Sequence, residues 1–133
     1  MSRNRVFLPG EAEAEKVLSV LEVPRPEGGV RFRISRYCSA DGAWWVRHGP
    51  FEMLHDNGTI SSRGEYRDGL EEGLWQTYYE NGQLAAEGCY AHGEEQGYWR
   101  FWLRDGTEQS PIEYVNGVDV VLSPGGATDV SPG

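Results

Sequence analysis

Cysteine is scarce: Cys38 and Cys89 are the only two in 133 residues. They stand apart and show no metal-ligand spacing, so a thiol metal site or a disulfide-stapled scaffold is not indicated, and a cytoplasmic location is the default expectation. Histidine is nearly as scarce. His48, His55 and His92 are the only ones, and none sits at a metal-binding i, i+4 spacing. Long apolar runs are missing. No stretch approaches the ~18 apolar residues of a membrane span. The opening residues carry only Val6-Phe7-Leu8 before Pro9, too short for the apolar region of a signal peptide. Positive charge is in deficit: 12 Lys+Arg against 21 Asp+Glu give a net charge of −9 and a pI near 4.7. Without a basic run there is nothing to displace counterions, so a nucleic-acid partner is excluded. The same field opposes adsorption to anionic lipid. The acidity fits either plain solubility or a surface turned towards a basic partner.

What the chain has in abundance is glycine and aromatic residues, and they recur. Gly49, Gly73 and Gly97 are 24 residues apart, and Phe51, Trp75 and Trp99 follow each by two. Asn57-Gly58, Asn81-Gly82 and Asp105-Gly106 share a column, as do Tyr66, Tyr90 and Tyr114, and then Gly69, Gly93 and Gly117. A gapless period of this length marks a repeat array. Residues 49–72, 73–96 and 97–120 are its clear units.

Each unit reads as two strands. Asn-Gly or Asp-Gly between aromatic runs is a hairpin signal, with a type I′ turn as the expectation. Helix is disfavoured, because glycine every few residues is costly there while Trp, Tyr and Phe suit a pleated surface. With Asn81-Gly82 as the loop, Tyr79 should face Leu84, Thr77 face Ala86 and Trp75 face Gly88. By the same count Phe51 faces Gly64 and Trp99 faces Ile112. A symmetric connection between units would set Tyr66 against Trp75 and Tyr90 against Trp99. One face then carries Phe51, Met53, Ile60, Tyr66, Trp75, Tyr79, Leu84, Tyr90, Trp99, Phe101, Leu103, Ile112 and Tyr114, and is the packed face. The other carries Glu52, Arg63, Glu65, Gln76, Glu87, Arg100 and Glu113, with one apolar column: Leu54, Tyr78 and Trp102.

The pattern Gly-x-Trp-x-x-Tyr-x-x-Asn-Gly-x-Leu-x-x-x-Gly-x-Tyr-x-x-Gly resembles the MORN-repeat variant family of bacterial proteins often labelled toxin–antitoxin repeat antitoxins. Residues 73–96 match it throughout. The preceding unit has Phe51 for Trp and Leu54 for the strand Tyr. The following one has Glu108 for Leu, Ile112 for Gly, and gains Pro111. The resemblance covers about residues 37–118. It implies an all-β, elongated, single-layer antiparallel meander of hairpins. It further implies a non-catalytic module, antitoxin- or immunity-like, that masks a partner protein such as a basic toxin. A membrane-associated or scaffolding role, as in some eukaryotic relatives, is the alternative, and the acidic charge counts against it.

Outside the three units the signals are weaker. Residues 1–29 form an N-terminal segment, its first ten residues expected to be loose. Residues 11–23 read as a short helix, with acids near its start and Val17, Leu18 and Leu21 on one face; residues 17–23 also read as a strand. Val30 to Tyr37 alternates as a half-buried strand, and with Asp41-Gly42 and Trp44-Trp45-Val46 makes residues 30–48 a worn first hairpin capping the array. Residues 118–122 can add an edge strand, ending a repeat domain over 30–122. Residues 123–133, rich in Gly, Pro and Ser, should be disordered.

No constellation points to catalysis, and no cofactor or metal is expected. The pairs Glu71-Glu72 and Glu94-Glu95 recur with the repeat and read as solvated turns. Cys89 falls on the polar face beside Leu74, with no base placed near it. The binding candidates are Leu54, Tyr78 and Trp102, roughly 10 Å apart on every second strand, surrounded by Glu52, Glu65, Glu87 and Glu113. An apolar stripe on a polar face marks either a recognition surface with aromatic anchors or a satellite core under the N-terminal segment.

Overall fold

A computed structural model describes residues 17–120. They form nine strands: β1 (Ser19–Pro24), β2 (Val30–Cys38), β3 (Trp45–Leu54), β4 (Ile60–Arg67), β5 (Leu70–Tyr78), β6 (Leu84–Ala91), β7 (Glu94–Phe101), β8 (Ile112–Val115) and β9 (Val118–Asp119). Each pairs with its sequence neighbours in one antiparallel sheet, so the chain is an all-β meander of hairpins. The segments expected to be loose at 1–10 and disordered at 123–133 lie outside the described residues.

The helix expected over 11–23 is corrected where it can be seen. Residues 19–23 lie in β1, while 11–16 fall outside the described residues. Leu21 and Val23 are half-buried while Val20 and Glu22 are exposed, a period of two rather than 3.6. Val23 pairs with Phe32 and Leu21 with Ile34, so sheet pairing overrides a weak local helical preference. The β1–β2 connection repeats the hydrogen bonds of the later loops. Arg25 N–H donates to Gly29 O at 3.0 Å and Gly28 N–H to Arg25 O at 3.1 Å, as His55 N–H does to Thr59 O at 2.7 Å and Gly58 N–H to His55 O at 2.9 Å. The array thus begins one strand ahead of Val30.

Two kinds of turn alternate, and the type I′ turn is not where the sequence suggested. At Asn81-Gly82 only the glycine has positive φ, 88°. Gly82 N–H donates to Tyr79 O at 3.0 Å and Tyr79 N–H to Gln83 O at 2.9 Å, a three-residue loop closed by a left-handed glycine. The register slips accordingly: Tyr78, not Tyr79, pairs with Leu84, while Thr77–Ala86 and Trp75–Gly88 stand as expected. The tight two-residue turns lie at the opposite end of the strands. Asp68-Gly69 has φ of 49° and 93°, and His92-Gly93 and Asn116-Gly117 match it. With both φ positive these are the turns that suit strand twist.

The slip moves Ile60 and Leu84 off the packed face. They pair with Leu54 and Tyr78 and share the polar face with them. Met53 and Leu103, also expected inside, are 37% and 47% exposed.

The core is a thin line of rings. Ile34, Phe51, Trp75 and Trp99 are each 8% exposed, and Leu21, Phe32, Tyr66, Tyr90, Phe101 and Tyr114 pack against them. Tyr66 pairs with Glu71 rather than Trp75, yet its ring meets Trp75 edge-on at 5.2 Å. Tyr90 meets Trp75 at 6.0 Å and Trp99 at 5.0 Å, also edge-on, the arrangement aromatic quadrupoles prefer. Each indole lies over the glycine of the unit before it. A Cβ at Gly64 would come 2.1 Å from Trp75 Cδ2, and one at Gly88 would come 2.1 Å from Trp99 Cδ2. Gly64 is the register partner of Phe51, and Gly88 of Trp75; the ring that covers each glycine comes instead from the next hairpin.

Neighbouring units are pinned at both ends. Gly69, Gly93 and Gly117 N–H donate to the carbonyls of Arg47, Glu71 and Glu95, each at 2.8–2.9 Å. Beside them, Asp68, His92 and Asn116 N–H donate to the side chains of His48 at 2.9 Å, Glu72 at 3.0 Å and Gln96 at 3.1 Å. At the other end, Asn57 Nδ2 donates to Glu80 O at 3.0 Å and Asn81 Nδ2 to Arg104 O at 3.2 Å. His55 Nε2 and Tyr79 Oη reach the carbonyls of Tyr78 and Trp102 at 2.8 and 2.7 Å.

Candidate surface on the polar sheet face

Facing residues on successive strands form a ladder along the middle of the polar face. Glu22 faces Arg33, Arg33 faces Glu52, Glu52 faces Arg63, Arg63 faces Gln76, Gln76 faces Glu87, and Glu87 faces Arg100. Arg33 bonds Glu22 at 2.8 Å and Glu52 at 2.9 Å. Arg63 Nε donates to Gln76 Oε1 at 3.2 Å, and Gln76 Nε2 donates to Glu87 Oε1 at 2.9 Å. Arg100 closes the series on Glu87 at 3.8 Å and Glu108 at 3.0 Å. Gln76 stands where the alternation of sign would otherwise break, its amide accepting from the cation and donating to the anion. Each exposed pair contributes little alone, but together they offset most of the charge at the centre of this face.

Glu52 and Glu87, expected to surround the column, are therefore engaged within the sheet. Glu65 and Glu113 are not: neither has an ion-pair partner among the described residues. Leu54, Tyr78 and Trp102 all lie on the polar face and are half-buried. Tyr78 Oη donates to Gln76 Oε1 at 3.1 Å, with the Arg63 guanidinium 5.6 Å from its ring centre. Arg100 lies 5.0 Å from the Trp102 ring centre, and Arg25 donates to the Leu54 carbonyl. Ile60 and Leu84 fill the strands between. This column is partly covered by its own neighbours.

A second apolar column runs along the other flank of the ladder. Pro50, Leu74 and Tyr98 follow each unit's opening glycine and share the face of Glu52, Gln76 and Arg100. All three are exposed, Leu74 to 53% and Tyr98 to 65%. Val20 continues the row on β1 at 67%. Their register partners are Ser35, Glu65, Cys89 and Glu113, and a shallow hollow opens between Pro50 and Leu74, bordered by Glu52, Arg63, Glu65 and Gln76. Sequence reading placed Leu74 beside Cys89 but missed the row. Its signal was the same 24-residue spacing, masked because proline, leucine and tyrosine look unlike one another.

The remaining chemical candidates have structural partners. His48 Nδ1 accepts from Asp68 N–H, His55 donates to Tyr78 O, and His92 occupies a tight turn. Glu71-Glu72 and Glu94-Glu95 are strand-opening residues rather than turn residues. No group of three or more His, Cys, Asp or Glu side chains converges as a metal site among the described residues. Cys89 is exposed.

Comparison with curated proteins gives no match, and comparison with solved structures gives none. Residues 71–92, which run from β5 through the Asn81-Gly82 loop to the tight turn after β6, match the MORN repeat variant.

Proposed function

We propose that this chain is a non-catalytic repeat module that binds another protein through the polar face of its sheet. The carrying observation is the exposed apolar row set in a face whose central charged side chains are already engaged with one another or with Gln76. Apolar surface left open beside a rigid, internally satisfied lattice suits docking better than chemistry. The MORN repeat variant at residues 71–92 supports a repeat module of this kind. Leu54, Tyr78 and Trp102 flank the same face and extend the contact area. The narrower reading is an antitoxin-like module that masks a basic toxin; it draws on the family resemblance and on the net charge of −9. The test is capture of binding proteins from native lysate on the tagged full chain, followed by surface-binding kinetics with the purified candidate. A saturable complex of fixed stoichiometry is expected, its association slowed by salt. Failure to retain any protein in defined stoichiometry overturns the reading; a captured protein that is not growth-inhibitory overturns the antitoxin form alone.

A further inference from the structure

Resting on the binding-module reading, we infer that the row Pro50, Leu74 and Tyr98 docks a basic amphipathic helix of the partner protein, laid across the strands. Successive row residues stand two strands apart, about 10 Å. Seven residues of α-helix rise about 10.5 Å, so one apolar side chain per two helical turns meets each position in step. An extended segment crossing the strands would leave its own backbone groups unpaired on the sheet face, whereas a helix satisfies them internally. The hollow between Pro50 and Leu74 receives a side chain between two contacts. Charge selects the sign of the helix flanks. Along the ladder Glu22, Glu52, Glu87 and Glu108 have arginine partners, and Arg63, which borders the hollow, bonds Gln76, while Glu65 and Glu113, facing Pro50 and Tyr98, make no ion pair among the described residues. Lysine or arginine along the helix supplies those partners.

The probe is a labelled 21-residue Leu/Lys heptad peptide, with a Leu/Glu peptide of the same pattern as control, titrated against the full chain at physiological salt and read by fluorescence anisotropy. Leu74→Ser with Tyr98→Ser, both at exposed positions, should leave the denaturation midpoint in place and weaken Leu/Lys binding at least tenfold. Glu65→Gln with Glu113→Gln should flatten its salt dependence. Glu80→Gln, at a loop on the opposite edge, should change neither. Equal binding of both peptides overturns the inference, as does wild-type affinity in the Leu74/Tyr98 variant. It is equally overturned if that variant instead abolishes a wild-type dimer in sedimentation, or abolishes binding to anionic vesicles. If the variant still captures the native partner, the row is wrong and the module reading stands; if the wild type captures none, the module reading fails by itself.

Discussion

Gly88 shows how one missing methyl group sets the packing. Its φ is not in the left-handed region, so any residue could adopt its backbone. The obstacle is Trp99, whose indole occupies the space a Cβ would need, 2.1 Å from its Cδ2. Gly88→Ala should therefore force the ring away and lower stability by about 1–3 kcal/mol, as overpacking does, read as a fall in the urea midpoint. An unchanged midpoint would show that the indole has another seat. Ile112 stands in the corresponding column of the last hairpin, where no further tryptophan arrives, so a branched side chain is tolerated. The turn residues follow the same rule. Asn57 and Asn81 donate their amides to the next loop. Asp105 opens the last such loop and keeps only the acceptor half, taking Thr107 N–H at 2.9 Å.

At the scale of the strand pair, the sequence disclosed the hairpins, their phase and the packed aromatic face, because period-two alternation and glycine spacing are local signals. It did not disclose the bulges. A single extra residue at Ser61 or Ala85 swings Ile60 and Leu84 to the polar side, and pattern counting assumes no such slip. Over residues 19–23 a strand stands in place of the expected helix, because Leu21 and Val23 gain partners in β2 that local propensity cannot weigh. The four acids lie on the face that the repeat gives them, but the pairing of Glu52 with Arg33 and of Glu87 with Arg100 depends on three-dimensional register, which spacing does not show. That pairing gives a test. Gln76→Glu removes the donor that reaches Glu87 and sets two carboxylates face to face. The variant should lose about 0.5–1 kcal/mol, part of it restored by salt. A midpoint equal to wild type in low salt would show that the ladder has no mechanical role.

For the whole molecule, acid is the informative perturbant. Asp41, in the β2–β3 connection, is held below its ordinary value by the backbone N–H of Ala43 and the Ser39 hydroxyl. Asp105 is lowered by the Thr107 side chain and then the Thr107 N–H. A carboxylate whose folded pKa is depressed stabilises above the unfolded value, about 3.9, and that contribution is lost as pH falls through the folded value. Stability should thus drop below pH ~4. Asp105→Asn, the residue of the two earlier loops, should keep the neutral-pH midpoint and make the acid limb shallower. An unaltered acid limb would place its origin elsewhere.

The pins between units have a further consequence. Donors on one hairpin meet carbonyls at the same offset on its neighbour, so any interior unit presents both the plug and the socket of the next. A tandem duplication of residues 73–96 would enter without a seam, lengthening the sheet by two strands, roughly 10 Å, and adding one more position to the exposed row. Growth by whole copies is therefore cheap for this architecture, whereas insertion of any other length throws the plugs at that seam out of step. Reach along a partner is adjustable only in increments of one hairpin.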